Sequence, residues 1–253
     1  MDEISLLHSA GAILTLVLGG LIKGTIGFGL PLFVVTLLSN ILPIKTALAI
    51  VTLPIVASNL WLGLQGGLFV PTLKRFWPVI TCAGLGVFAG SHIAADLDQA
   101  VLLLTLGCVI IGVCLIEAFG PFEKSVVPPR AEKPLSLIMG LIGGVLGGLS
   151  TIFGPPLLIY LNFLRLPKER FVAAIGVIFF CTSLFLFLAF GSVGILSPKT
   201  ITLSALAILP VFAGQYIGNR LRTCMPQRVF QRIVLIFLLL LGMNLVRRAL
   251  FAA

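Results

Sequence analysis

GGLIKGTIGFGLP, residues Gly19–Pro31, and GGVLGGLSTIFGPPLLIYL, residues Gly143–Leu161, decide how this chain reads. Each lies inside a long apolar segment, Ala10–Leu42 and Leu135–Leu164, and interrupts it, at Gly24–Pro31 and Gly147–Pro156. Glycine loosens a helix and proline removes one of its donors. Backbone freed in this way is tolerated inside a bilayer only where protein or water satisfies it. The expectation for each stretch is two shorter helices meeting at a broken tip, a helical hairpin.

The composition around these stretches points to a membrane. Of 253 residues, 59% are hydrophobic and 10% charged, with a mean hydropathy of +1.19; soluble domains carry about 25% charged residues. Ile4–Ile22, Trp77–Ala95, Phe171–Pro198 and Thr200–Asn219 are uncharged or nearly so, and each approaches the ~20 residues a helix needs to cross a bilayer. Asp2 and Glu3 flank the first run, so it reads as mature protein rather than a cleavable signal. Cys82, Cys108, Cys114, Cys181 and Cys224 form no CxxC pair and read as small hydrophobes, so neither metal nor cofactor is expected. The net charge of +9 falls in short loops, where it sets topology. No basic stripe with interleaved aromatics exists, which leaves the lipid bilayer as a partner and excludes nucleic acid.

The two stretches belong to a repeat. At a constant separation of 124 residues, Gly19-Gly20 falls on Gly143-Gly144, Gly24 on Gly148, Pro31 on Pro155 and Pro43 on Pro167. Gly67 then falls on Gly191 and Gly90 on Gly214. The predicted organisation is a transmembrane repeat at 1–119, a polar linker at 120–134 and a second repeat at 135–253. The fold class is an all-α polytopic membrane protein, each repeat holding an interrupted hairpin and three further transmembrane helices. Basic residues are read at Lys45, in the loop Leu64–Phe76 (Lys74, Arg75), at Arg165, Lys168 and Arg170, at Lys199, and at Arg220, Arg222, Arg228 and Arg232. Their phase is opposite in the two halves, so the repeats are expected to be inverted; Arg247-Arg248 runs against that rule. Inverted repeats with interrupted helices are a transporter design, and helix N-termini aimed into the protein suit an anion.

At these two motifs the chain resembles the TauE/SafE family of sulfite and organosulfonate exporters, also described as 4-toluene sulfonate uptake permeases. The resemblance covers nearly the whole chain. It implies export of sulfite, sulfoacetate or a related sulfur oxyanion, with proton coupling as an option, from a bacterial-type inner membrane; a homodimer is compatible with it. Ser150-Thr151-Ile152-Phe153 departs from the more glycine-rich form of the second motif, which leaves the anion open.

Within the breaks, Lys23 is the one charge between Glu3 and Lys45. A cation at that depth needs water, a partner or a cavity; it reads either as an attractor for an anion or as a lysine snorkelling to an interface. Thr25, Ser150 and Thr151 supply hydroxyls, for substrate or for carbonyls freed by the break. Gly24, Gly27, Gly29, Gly148 and Gly154 present backbone N–H groups or allow tight packing. Phe28 and Pro155 complete the two tips. Ser58-Asn59 and Thr182-Ser183 are equivalent polar pairs in the second segment of each half, for substrate or for interhelical bonds. His92 and Asp96, one helical turn apart, are the candidates for proton coupling; Asn162 and Gln215 are lesser polar positions.

The leading expectation is a secondary transporter working by alternating access around the hairpin tips. The alternatives are a passive anion channel, or a permease importing a different small organic anion. No P-loop, HExxH or GxSxG occurs, and only His8 and His92 are available as catalytic bases, so no enzyme is expected.

Overall fold

The computed structural model describes residues 3–27, 29–119, 128–221 and 227–251. These residues form ten α-helices and no strand: α1 Glu3–Ile26, α2 Leu30–Leu38, α3 Ile44–Leu64, α4 Phe69–Asp96, α5 Gln99–Phe119, α6 Pro129–Ser150, α7 Gly154–Phe163, α8 Lys168–Ser192, α9 Pro198–Leu221 and α10 Gln227–Phe251. Among them, six helices are long and apolar enough to cross a membrane. The chain is an all-α, multi-pass membrane protein.

Both interrupted segments break where glycine and proline demand it. α1 stops at Gly27, whose φ of 97° is left-handed and whose N–H reaches the Lys23 carbonyl at 2.7 Å. α6 stops in the same manner at Thr151, with φ 63° and its N–H on the Gly147 carbonyl at 2.7 Å. A left-handed residue just past the last turn is a common helix stop. The chain restarts with proline in the first turn of α2 and α7, where its missing N–H is not needed. At nine residues α2 is about 14 Å long, less than half of a ~30 Å hydrocarbon core. It folds back on α1 so closely that a Cβ on Gly19 would lie 2.2 Å from Val34 Cγ2. In the second hairpin, a Cβ on Gly143 would lie 3.2 Å from Leu157 Cγ.

The chain divides into two compact units, each drawing on both halves of the sequence. One comprises Met1–Pro54, Asp98–Cys114 and Leu196–Ala253; the other comprises Ile55–Leu97 and Leu115–Ile195. Within the first, α1 packs on α9 through a seam of small residues: Cβ atoms on Gly20 and Gly24 would sit 2.1 and 2.3 Å from the Val211 and Gln215 carbonyl oxygens. Gly214 and Gly218 face Val17 and Leu21 in return. Within the second, α6 packs on α4 with Gly144 and Gly148 against Ala83 and Val87, and Gly86 and Gly90 against Leu141 and Val145. Small residues let helix backbones touch where apolar burial alone favours no particular partner.

These seams correct the repeat. Gly86 and Gly90 stand where Gly214 and Gly218 stand, 128 residues on, and α5 and α10 begin at Gln99 and Gln227 with the same spacing. The single separation of 124 therefore holds through α8 and grows by four residues afterwards. The pairing of Gly90 with Gly214 is a slip of one helical turn.

Three further features differ from expectation. Lys74 and Arg75 sit on α4 rather than in a loop, because the connection shrinks to a 3-10 turn at Gln65–Gly67 built on left-handed Gly66 and Gly67. α6 begins at Pro129, inside the expected linker, proline being well suited to a first helical turn. Arg248 has a local role: it donates to the Ser39 carbonyl at 2.9 Å and to Asn40 Oδ1 at 3.0 Å, closing the end of α2. A cation at a helix C-terminus is favoured by the macrodipole. The first unit also repairs a proline break. Pro54 in α3 leaves the Ile50 carbonyl without its usual donor, and Ser204 Oγ of α9 donates to it at 2.8 Å while accepting from Leu53 N–H at 3.0 Å.

Candidate functional site

In the first unit, the tip gathers Lys23, Gly24, Thr25, Gly27 and Gly29; Phe28 lies outside the described residues. Lys23 is enclosed, 6% exposed, so its side chain runs within protein rather than along the surface. It stands in the last turn of α1, where the carbonyl-rich helix end favours a cation. Its counterpart at the 124 separation, Gly147, can hold no side chain, since a Cβ there would lie 2.9 Å from Phe153 Cβ. The cation is thus confined to one tip. Gly24 serves the α1–α9 seam, whereas Gly27 and Gly29, at φ 97° and 96°, shape the tip itself.

In the second unit the tip gathers Ser150, Thr151, Gly154 and Pro155, and the same unit holds both polar pairs, Ser58-Asn59 and Thr182-Ser183. Apart from Gly154 and Pro155, which are half-buried, all of these are buried. The Phe153 ring meets Phe179 edge-on with centroids 5.2 Å apart. Thr182 and Ser183 follow Phe179 by three and four residues, so they share the α8 face that this tip touches. Gly148 serves the α4–α6 seam, as Gly24 does its own. Pro155 has no N–H to offer.

The hydroxyls are engaged locally. Thr25 donates to the Leu21 carbonyl at 2.7 Å, Ser150 to Leu146 at 2.7 Å and Thr182 to Ile178 at 2.8 Å. Ser183 donates to Phe180 at 2.9 Å, Ser58 to Ile55 at 3.2 Å, and Thr151 to the Ser150 carbonyl. Such back-bonding leaves their oxygens as acceptors, so beside the Lys23 ammonium the donors that suit an anion come from main chain. α2 and α7 start without a side-chain cap, and the first N–H groups of a helix have no partner inside it. The N-terminal ends of their dipoles therefore favour negative charge at both breaks. Pro155 and Pro156 remove two of those donors from α7, while α2 loses only that of Pro31.

Thr151 is the strained residue of the site. A β-branched side chain in the left-handed region is an outlier, and Thr151 holds it fully buried where the first tip has Gly27. Such strain persists only where surroundings enforce it, and it gathers at functional sites.

His92 is exposed on α4, its Nδ1 2.8 Å from the Phe88 carbonyl, which makes that nitrogen a donor. Asp96 is exposed too. Two polar atoms stand out, one on the lesser candidate Gln215 and one on a residue outside the expected set: Gln215 Oε1 and Ser91 Oγ are buried without a hydrogen-bond partner among the described residues. No sequence signal marked Ser91, a small residue in an apolar helix.

Residues 12–245 match the family model described as "Sulfite exporter TauE/SafE". No curated protein and no solved structure matches the chain.

Proposed function

The chain belongs to the TauE/SafE sulfite exporter family, and from that premise we propose that it is a secondary transporter exporting a small sulfur oxyanion, sulfite or an organosulfonate such as sulfoacetate, by alternating access. One observation carries the reading: two interrupted hairpins restart as uncapped helices, α2 and α7, beside buried polar residues. Backbone N–H groups at such ends bind a compact oxyanion without a dedicated cationic pocket, and Lys23 adds long-range attraction at one of them. The repeats are proposed to be inverted, and an inner membrane is the matching location. For proton coupling the chain offers His92 and Asp96, both exposed and one helical turn apart on α4.

Thermal unfolding of the purified protein across anions tests the substrate class. Sulfite and sulfoacetate should raise the apparent stability, by about 2.7 kcal/mol at a hundred times Kd, whereas chloride and a carboxylate should not. Equal stabilisation by all anions, or by none, contradicts a sulfur-oxyanion site.

A further inference from the structure

We propose that Ser91 of α4 and Gln215 of α9 are substrate-path positions, one in each unit, whose missing hydrogen-bond partner is supplied by a small hydrated oxyanion. This rests on the anion-transport reading above and adds residues to it that neither motif contains.

Position is the first ground. Gly24 ends the α1–α9 seam beside its tip, and a Cβ there would touch Gln215 O at 2.3 Å and Asn219 N at 2.8 Å. Gly148 ends the α4–α6 seam beside the other tip, with Val87 O at 2.4 Å and Ser91 N at 2.6 Å. Gln215 and Ser91 therefore both border the glycine that ends a seam beside a break, though one helical turn apart in register, since Val87 matches Gln215 and Asn219 matches Ser91.

Chemistry is the second. Buried serines and threonines in helices return their proton to a carbonyl three or four residues back, as Thr25, Ser150, Thr182 and Ser183 do here. Ser91 is fully buried and does not, and Gln215 Oε1 is equally unmet in a residue only 7% exposed. Leaving such a group unmet is costly, and native structures hold few of them. Small-residue packing would account for Ser91, but not for a glutamine on a glycine seam. What the two share is an unmet polar atom beside a helix break. Ser91 O–H can donate to an anion oxygen. Gln215 Oε1 can accept from the anion's water or from a protonated oxyanion.

The test uses the full chain in proteoliposomes with Ser91→Cys or Gln215→Cys. Each is treated with a small negatively charged thiosulfonate reagent and mapped by peptide mass spectrometry, buried Cys114 serving as internal reference. Both positions should react at least about tenfold faster than Cys114 and be protected by sulfoacetate. Reaction only with an uncharged, membrane-permeant reagent would overturn the proposal. In parallel, Ser91→Ala and Gln215→Met should leave thermal stability unchanged or raised while flux falls at least about tenfold. Raised stability with unaltered flux would make the two atoms plain packing defects and also overturn it. Charged-reagent access at the two introduced cysteines, together with a wild-type protein that moves no sulfur oxyanion, would leave the two positions standing, and the substrate reading would fall instead.

Discussion

Thr151 and Lys23 make the two tips unlike each other. A left-handed conformation costs an L-residue roughly 1–2 kcal/mol, and Gly27 shows that glycine meets the same turn without it. Thr151→Gly is expected to raise the unfolding free energy by about 1 kcal/mol while lowering transport, as strained functional positions do when relaxed. A loss of stability on that substitution, read by thermal unfolding, would show that the turn is not strained. For Lys23→Ala, KM should rise by about tenfold with kcat largely kept, the ~1.4 kcal/mol scale of one charge-assisted contact, and Lys23→Arg should restore part of it. Wild-type kinetics at normal membrane abundance would remove Lys23 from the site. That lysine was legible in the sequence because a lone charge in an apolar segment needs a reason. Ser91 was not, since nothing about a serine reveals whether its proton has a carbonyl within reach.

At the scale of the helices, glycine and proline made the breaks readable to within a few residues. Gly24–Pro31 and Gly147–Pro156 bracket the observed gaps between α1 and α2 and between α6 and α7. Helix starts were less legible. Lys74 and Arg75 looked like loop residues because charge marks the ends of spans, but a charged second turn and a charged loop give the same sequence signal. The tie between Ser204 and α3 was also hidden, because it joins residues 154 apart. Its energetics are testable. Ser204→Ala strips partners from the Ile50 carbonyl and Leu53 N–H and should cost about 1–3 kcal/mol. Pro54→Ala gives the Ile50 carbonyl a helical donor again, so Ser204→Ala should cost less in that background. Strict additivity in the double-mutant cycle would mean that the serine does not repair the proline break.

Across the whole molecule, the family was legible in two motifs, and matched glycines and prolines are the ground for the proposed duplication. The four-residue slip after α8 was not legible, because glycines four apart on one helix face offer two equally good alignments. Only the partners of Gly86, Gly90, Gly214 and Gly218 choose between them. The units likewise join elements from both halves, which a reading along the chain cannot show. Transport itself can be measured as uptake of radiolabelled sulfite into proteoliposomes preloaded with unlabelled sulfite. Flux by a carrier should saturate with concentration and accelerate with sulfite on the opposite side. Flux that rises linearly without acceleration would describe a channel, and flux no greater than in protein-free vesicles would contradict sulfite as the substrate.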